Sequence, residues 1–184
     1  MTLTLDEIIG KARHAHSLMD REELAWLIKL AQQALDGPAL EIGVYCGASL
    51  IAWSLAREGR GESIGVDNWS YNNIANLKDK AAENIALANV TARLIDSDSE
   101  RAAPLIADGS LAFCFIDGDH TRDYIVRDIE LWTPKIMRGG TVVFHDYARQ
   151  KNGCWVKPAV DQWILRTHWP ELGLVKTTHS FRKP

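Results

Sequence analysis

Two short apolar runs, separated by one helix-length segment, constrain the fold of this chain more than any other feature. The runs are Leu111–Ile116 and Thr141–Phe144, and both are rich in β-branched or aromatic residues. Such runs are typical of strands that are buried on both faces of a parallel sheet, which must be joined by a crossover. The intervening segment 121–136 repeats apolar residues at helical spacing. The three parts together predict a strand–helix–strand unit.

Acidic and imidazole side chains follow each of these two predicted strands directly. Asp117, Asp119 and His120 follow the first, and His145 and Asp146 follow the second. Ligands of open α/β sheets bind at the carboxyl ends of the strands. These side chains are therefore candidates for a functional site, although Asp119 is equally well placed to cap the next helix.

Strand and helix patterns alternate regularly after residue 38, which predicts a doubly wound, mostly parallel α/β sheet with helices on both faces. We interpret 1–184 as a single domain, with a helical preface at 1–36 and the sheet core at 38–184. The preface is interpreted as a lid or a dimer surface, and Asp20 and Glu23 stand at capping-box spacing. Further helices are predicted over 5–18, 20–35, 49–57, 74–88, 99–107 and 156–168. Further strands are predicted over 39–44, 63–66, 91–95 and 173–178, with a very short last strand within 179–184.

Composition narrows the class of protein. The 184 residues are 46% hydrophobic and carry a net charge of −3, which is typical of globular chains and disfavours a nucleic-acid partner. No segment reaches transmembrane length, and the N-terminus lacks the basic start and apolar core of a signal peptide, so a cytoplasmic location without membrane contact is expected. Trp155, Trp163 and Trp169 cluster near the C-terminus, which fits either a homodimer surface or core packing.

A glycine pair follows the first predicted strand of the core. Gly43 and Gly47 would let the backbone turn tightly and pass close to a ligand at the N-terminus of the next helix. Tyr45 and Cys46 between them break the dinucleotide fingerprint G-x-G-x-x-G. An ordinary strand–helix turn is the alternative interpretation.

Polar residues end the next two predicted strands. Asp67 stands where nucleotide-binding folds place an acid that accepts two hydrogen bonds from ribose hydroxyls, and Asn68 begins a polar loop beside it. Trp69 would stack on an adenine or fill a core edge. Asp98 would bind an adenine amino group or cap a helix.

The ordered motifs Glu41-x-Gly-x-x-x-Gly47, Asp67, Asp98, Phe115–His120 and Gly139–Asp146 resemble those of the class I S-adenosylmethionine-dependent methyltransferases. More narrowly, they are similar to a small bacterial family related to the sugar and antibiotic O-methyltransferases. The resemblance implies a Rossmann-like, seven-stranded sheet whose last strand is antiparallel and short. It also implies S-adenosylmethionine as cofactor, bound by residues at the strand tips: Glu41, Gly43, Tyr45, Gly47, Asp67, Asn68, Trp69, Asp98 and Asp117.

The resemblance also implies a divalent metal site. In the metal-dependent relatives, acids at the ends of the fourth and fifth strands hold Mg²⁺, and the matching positions here are Asp117, His145 and Asp146. A histidine at 145 departs from that pattern and favours Zn²⁺, Mn²⁺ or Fe²⁺ over Mg²⁺. A metal-free site is the alternative, with His120 or His145 as general base. The expected catalytic residues are Asp117, His120 and His145.

The function implied is transfer of a methyl group to a small hydroxylated acceptor such as a sugar. Two alternatives remain open at this point. One is a non-catalytic module that kept the fold for partner binding. The other is a nicotinamide-dependent oxidoreductase, which the missing third glycine disfavours.

Overall fold

A seven-stranded sheet in the order β3-β2-β1-β4-β5-β7-β6 organises the chain in a computed structural model that describes residues 2–149 and 152–184. The strands are β1 Ala39–Ile42, β2 Ser63–Asp67, β3 Arg93–Asp96, β4 Leu111–Ile116, β5 Ile136–Phe144, β6 Glu171–Val175 and β7 Thr178–Arg182. The α-helices are α1 Leu5–His14, α2 Arg21–Gln33, α3 Ala48–Ala56, α4 Leu77–Leu87, α5 Ser99–Ala102, α6 Arg122–Trp132 and α7 Val156–Thr167, and 3₁₀ turns span Tyr71–Asn73 and Ala103–Leu105.

The sheet has the predicted mixed character. Strands β1 to β5 pair in parallel, and β7 pairs antiparallel with both β5 and β6. The predicted Rossmann-like class, with an antiparallel last strand, is thus confirmed. Strand β7 spans five residues, as many as β2, so the expectation of a very short last strand is wrong. The strand fits because β6 ends at Val175, three residues earlier than predicted.

Side chains of β4 alternate between two hydrophobic cores. Phe113 and Phe115 pack into the core that holds α1 to α4, while Cys114 and Ile116 pack into the core that holds α5 to α7. All four side chains are buried. A strand whose two faces are both covered must be apolar throughout, which explains the unbroken run in the sequence.

Core packing accounts for the helical preface. Ile8 and Ile9 of α1 and Leu24 and Leu27 of α2 are buried in the same core as Trp53 of α3. The capping box predicted at the start of α2 is present. Packing of α1 and α2 against α3 thus accounts for the buried face of this segment, and its interpretation as a lid or a dimer surface stays a prediction.

Prolines move two element boundaries away from their predicted places. The helix predicted over 121–136 ends at Trp132, and Ile136 begins β5, because Pro134 cannot continue a helix. The helix predicted over 99–107 changes at Pro104 into a 3₁₀ turn. The first helix ends at His14 and not at 18, since Ala15 adopts an extended conformation.

Across the described ranges, none of the helices combines the length and apolarity that a membrane crossing would need.

Candidate functional site at the strand tips

The glycine loop after β1 lies directly against the tip of β4. Gly43 has a φ of +87°, and a Cβ atom there would stand 2.1 Å from the carbonyl oxygen of Asp117. Only glycine permits both the left-handed backbone and this approach. Gly47, at a φ of +90°, then forms the N-cap of α3. The loop and Asp117 therefore share one edge of the sheet.

Asp67 at the tip of β2 fixes the conformation of this loop. Its Oδ2 accepts hydrogen bonds from the amides of Val44 and Tyr45, each at 2.8 Å, and its Oδ1 accepts one from the amide of Trp69 at 2.7 Å. A carboxylate has about four acceptor positions. Three are used inside the protein, so one position at Oδ1 is left where two ribose hydrogen bonds were expected.

The other predicted cofactor residues surround Asp67. Asn68 donates to Asp98 Oδ1 at 2.8 Å and so links the tips of β2 and β3. Trp69 packs partly buried against the core edge. The Tyr45 ring makes edge-to-face contacts with His16 at 5.7 Å and Tyr71 at 5.3 Å between ring centroids.

Glu41 lies inside the protein and not in the cleft. It is fully buried, and its carboxylate accepts hydrogen bonds from Ser49 Oγ at 2.6 Å and Trp53 Nε1 at 2.5 Å. Burial raises the pKa of Glu41 to about 8; the hydrogen bonds from Ser49 and Trp53 oppose that rise, and the negative charges of Asp117 and Asp67 add to it. In this arrangement Glu41 connects β1 to α3.

Asp117, His120 and Asp146 form the centre of the site. One ligand atom of each lies within 4.8 Å of the other two. His120 Nε2 is 3.3 Å from Asp117 Oδ1, and its Nδ1 is 3.3 Å from Asp146 Oδ2. A neutral imidazole carries one N–H, so its other nitrogen can offer a lone pair to a cation. Two carboxylates and an imidazole suit a divalent metal such as Mn²⁺ or Zn²⁺.

His145, expected among the metal ligands, lies behind this centre. Its Nδ1 is 3.0 Å from Asp117 Oδ1, and its Nε2 is 3.5 Å from Glu23 Oε2. Its side chain is only 6% exposed, against 27% for His120. The structure thus brings His120 into the ligand cluster and places His145 between the cluster and α2.

Electrostatic coupling between these groups is strong. Burial alone would lower the pKa of His145, but the charge of Asp117, hydrogen bonding to Asp117 and the contact with Glu23 raise it to about 11. Burial would likewise raise the pKa of Asp117, and the charge of His145 together with hydrogen bonding to His120 outweighs this and lowers it. Asp117 and His145 therefore form an ion pair.

Two side chains near the centre have local roles. Asp119 accepts a hydrogen bond from the amide of Thr121, the N-cap residue of α6, at 2.7 Å; this forms a turn before the helix and does not cap it. Arg149, which belongs to none of the motifs in the sequence, donates to Asp146 Oδ2 at 2.5 Å. Asp146 itself has a left-handed φ of +56°, a conformation that aspartate adopts more often than most other non-glycine residues.

Glu23 is the residue near the site that the sequence did not reveal. Its position in the capping box at the start of α2 already explained an acid there, so no signal pointed to a second contact. Only the packing of α2 over the tip of β5 brings Glu23 to His145.

Comparisons with known proteins assign the chain to a family. A family model described as a methyltransferase domain matches residues 40–147. Among solved structures, an O-methyltransferase from Bacillus cereus in complex with SAH is 19% identical, with a TM-score of 0.67, 97% of this chain covered and 90% of that one.

Two further solved structures agree in fold. A putative caffeoyl-CoA O-methyltransferase from Staphylococcus aureus is 15% identical, with a TM-score of 0.72 and coverage of 98% of this chain and 92% of that one. The O-methyltransferase TomG from Streptomyces achromogenes, in complex with SAM, is 16% identical, with a TM-score of 0.66 and coverage of 97% and 91%. At these low sequence identities the similarity shows a shared fold and nothing about function. The family model matches more than half of the chain, and the chain therefore belongs to this methyltransferase-domain family.

Proposed function

We propose that this protein transfers a methyl group from S-adenosylmethionine to a hydroxyl oxygen of a small acceptor. The observation that carries the proposal is the contact between the glycine loop and the tip of β4, where Gly43 meets the carbonyl of Asp117. A cofactor on the loop and an acceptor at the acid–imidazole centre would then occupy one cleft. Two of the solved structures of the same fold, the O-methyltransferases from Bacillus cereus and Streptomyces achromogenes, hold SAH and SAM respectively.

The cofactor would be held by the loop and by the tips of β2 and β3. S-adenosylmethionine, when bound, supplies an electrophilic methyl group on its sulfonium. The remaining acceptor position on Asp67 Oδ1 would take one ribose hydroxyl, and the pair Asn68–Asp98 would border the adenine. The free amides at the start of α3 and the positive end of its dipole would face the carboxylate of the methionine part.

A divalent cation would be held by Asp117, His120 and Asp146. The donor set fits, because one nitrogen of His120 and one carboxylate oxygen each of Asp117 and Asp146 lie within 4.8 Å of one another, and this combination of ligands suits a divalent metal. When bound, such a cation lowers the pKa of a nearby hydroxyl. His145, behind Asp117, would keep that carboxylate in place.

A reaction without a cation would use His120 as general base. It is the most exposed of the imidazole and carboxylate side chains in the cluster, so an acceptor hydroxyl could reach it. Much of the rate would come in either case from holding the acceptor oxygen in line with the methyl group.

Calorimetric titration with S-adenosylhomocysteine tests the cofactor assignment. We expect wild type to bind and Asp67→Ala to bind at least tenfold more weakly. A lost charged hydrogen bond costs about 1.5–3 kcal/mol, and the loop also loses the carboxylate that fixes its conformation. Asp79→Ala, an exposed acid on α4, is the matched control and should bind as wild type does. No binding by wild type would overturn the proposal and favour a non-catalytic module, and binding of NAD instead would favour an oxidoreductase.

Addition of Mn²⁺ or Mg²⁺ to the same titration tests the cation. Binding of Mn²⁺ by wild type that is lost in Asp117→Asn would support the metal-assisted reaction. Methyl transfer to hydroxylated acceptors that persists with a chelator and is lost in His120→Gln would support the general-base reaction.

A further inference from the structure

We infer that Glu23 is a positioning residue of the reaction site, which acts through His145 on the carboxylate of Asp117. The inference rests on the proposed function, because it takes Asp117 to be part of the reacting cleft. It assigns to the helical preface a part in the chemistry that its packing alone does not give it.

Glu23 holds three parts of the chain together. Its Oε1 accepts hydrogen bonds from the amide of Thr177 at 3.1 Å and from the Thr177 hydroxyl at 2.5 Å, in the turn between β6 and β7. Its Oε2 accepts one from the amide of Asp20 at 3.2 Å, at the start of α2. The same Oε2 faces His145 Nε2 at 3.5 Å. The carboxylate is therefore fixed from two sides before it meets the imidazole.

The imidazole of His145 lies between the carboxylates of Asp117 and Glu23, and its Nδ1 is also 3.9 Å from Asp146 Oδ1. Nδ1 is 3.0 Å from Asp117 Oδ1, while Nε2 is buried and, within residues 2–149 and 152–184, has only the ionic contact with Glu23. The ring also lies edge-on to Phe115, with 6.2 Å between centroids. A flat ring with partners at both nitrogens and at its edge has one orientation. Glu23 thus sets the orientation from which Nδ1 contacts Asp117.

Orientation of Asp117 matters because its other contacts are loose. The only other side chain that approaches its carboxylate within ion-pair distance, in the part of the chain described here, is His120 at 3.3 Å, which would itself be held by a cation. Groups that orient a ligand carboxylate or histidine typically change metal affinity by about 10–100-fold when they are removed. Without Glu23, the His145 ring would lose its partner at Nε2, and Asp117 would lose its fixed neighbour.

A purely structural role for Glu23 makes a different prediction. If Glu23 only tied α2 to the β6–β7 turn, removal of the Thr177 hydroxyl would have the same effect as removal of the Glu23 charge. Thr177→Val removes the 2.5 Å hydrogen bond to Oε1 and leaves His145 and its contact with Oε2 in place. Glu23→Gln keeps the length of the side chain and removes the charge that faces His145.

The test compares wild type, Glu23→Gln and Thr177→Val by ¹⁵N NMR of the histidine rings, with the His145 signal identified by its loss in His145→Gln. We expect Glu23→Gln to shift the His145 ring-nitrogen signals and Thr177→Val to leave them unchanged. Mn²⁺ affinity should fall by about tenfold in Glu23→Gln, while Thr177→Val changes the melting temperature alone. If Glu23→Gln fails to fold, Glu23→Asp, which keeps the charge but withdraws it, serves in its place with the same expectation.

Unchanged His145 signals in the folded Glu23 variant, or equal shifts in Thr177→Val, would overturn the inference. This readout needs neither metal nor activity, so it gives an answer even if wild type binds no Mn²⁺. S-adenosylhomocysteine binding in all three proteins is measured alongside. Its absence from wild type would count against the proposed function and not against the contact between Glu23 and His145.

Discussion

Four polar side chains meet at the tips of β4 and β5, and they take different parts in the site. Position after an apolar strand was enough to single out Asp117, His120, His145 and Asp146, because strand ends of a parallel sheet meet at one edge. It could not tell which histidine lies between the two acids Asp117 and Asp146. In the structure His120 does, whereas His145 lies between Asp117 and Glu23 of α2, and a contact across more than 120 residues leaves no local pattern.

Glu41 illustrates the same limit at a position behind the site. The motif placed it beside the glycine loop, yet its side chain points inward to Ser49 and Trp53. Successive residues of a strand point to opposite faces of the sheet, and the motif does not indicate to which face Glu41 points.

The buried Glu41 predicts a pH dependence of stability. Its folded pKa of about 8 lies above the ordinary glutamate value of 4.5, so between these values the unfolded chain releases a proton that the folded chain keeps. The free energy of unfolding therefore falls as pH rises through this window. Glu41→Gln removes this slope, and the stability difference between wild type and variant should shift by roughly 3 kcal/mol in favour of the variant from pH 5 to pH 8.

Urea unfolding of both proteins at pH 5 and pH 8 measures that difference, and all other titrating groups cancel in the comparison. Glu41→Gln is expected to be the less stable protein at pH 5, because its amide nitrogen cannot accept the hydrogen bond from Trp53. Parallel pH profiles would show that Glu41 is ionised in the folded protein.

At the scale of elements, the sequence predicts the existence of a strand better than it predicts the residues at which the strand begins and ends. β4 was predicted to the residue because it is apolar on both faces, whereas β5 begins five residues before its predicted start. Its first residues include Arg138 and two glycines, which carry no strand pattern. They become a strand because β4 provides a partner for them at Ile136 and Thr141, and such pairing is a long-range effect.

The turn between β1 and α3 predicts a severe effect of one methyl group. Gly43→Ala would combine a left-handed backbone with a Cβ atom 2.1 Å from the Asp117 carbonyl. Gly59→Ala is the matched control, since Gly59 has a similar φ of +78° and open space around its Cβ position. We expect about 1 kcal/mol of destabilisation for Gly59→Ala from the backbone alone, and more than about 3 kcal/mol for Gly43→Ala.

Thermal unfolding and S-adenosylhomocysteine titration of both glycine variants separate the two contributions. Gly59→Ala should keep wild-type affinity, because its turn lies at the other end of α3. Gly43→Ala should lose binding as well as stability. Equal losses of stability in the two variants would mean that the loop can move away from β4, and that their contact does not define the cleft.

At the scale of the whole molecule, the alternation of strands and helices predicted the sheet but not the partner of the preface. Helices α1 and α2 have amphipathic patterns, which indicate a buried face and leave open what covers it. In the structure that face lies in the core formed with α3 and β4. The contact between Glu23 and His145 depends on the same packing of α2. The site and the preface therefore depend on one another.

This mutual dependence predicts that the preface and the sheet unfold together. Leu27 of α2 is fully buried in the shared core, and Leu27→Ala should lower the stability of the whole protein by about 2–5 kcal/mol through the lost contacts and the cavity. Leu165→Ala on α7, where the side chain is 73% exposed, is the control and should change little.

Urea unfolding, monitored by far-UV circular dichroism and by tryptophan fluorescence, checks this prediction. Trp26 lies on α2, whereas Trp132 and Trp163 lie in the opposite core. If the chain is one cooperative unit, both probes move together to lower urea in Leu27→Ala. An early transition confined to the preface, with the opposite core unchanged, would instead mean that α2 can detach. His145 would then lose Glu23 while the sheet stays folded, and the site would be lost before the fold.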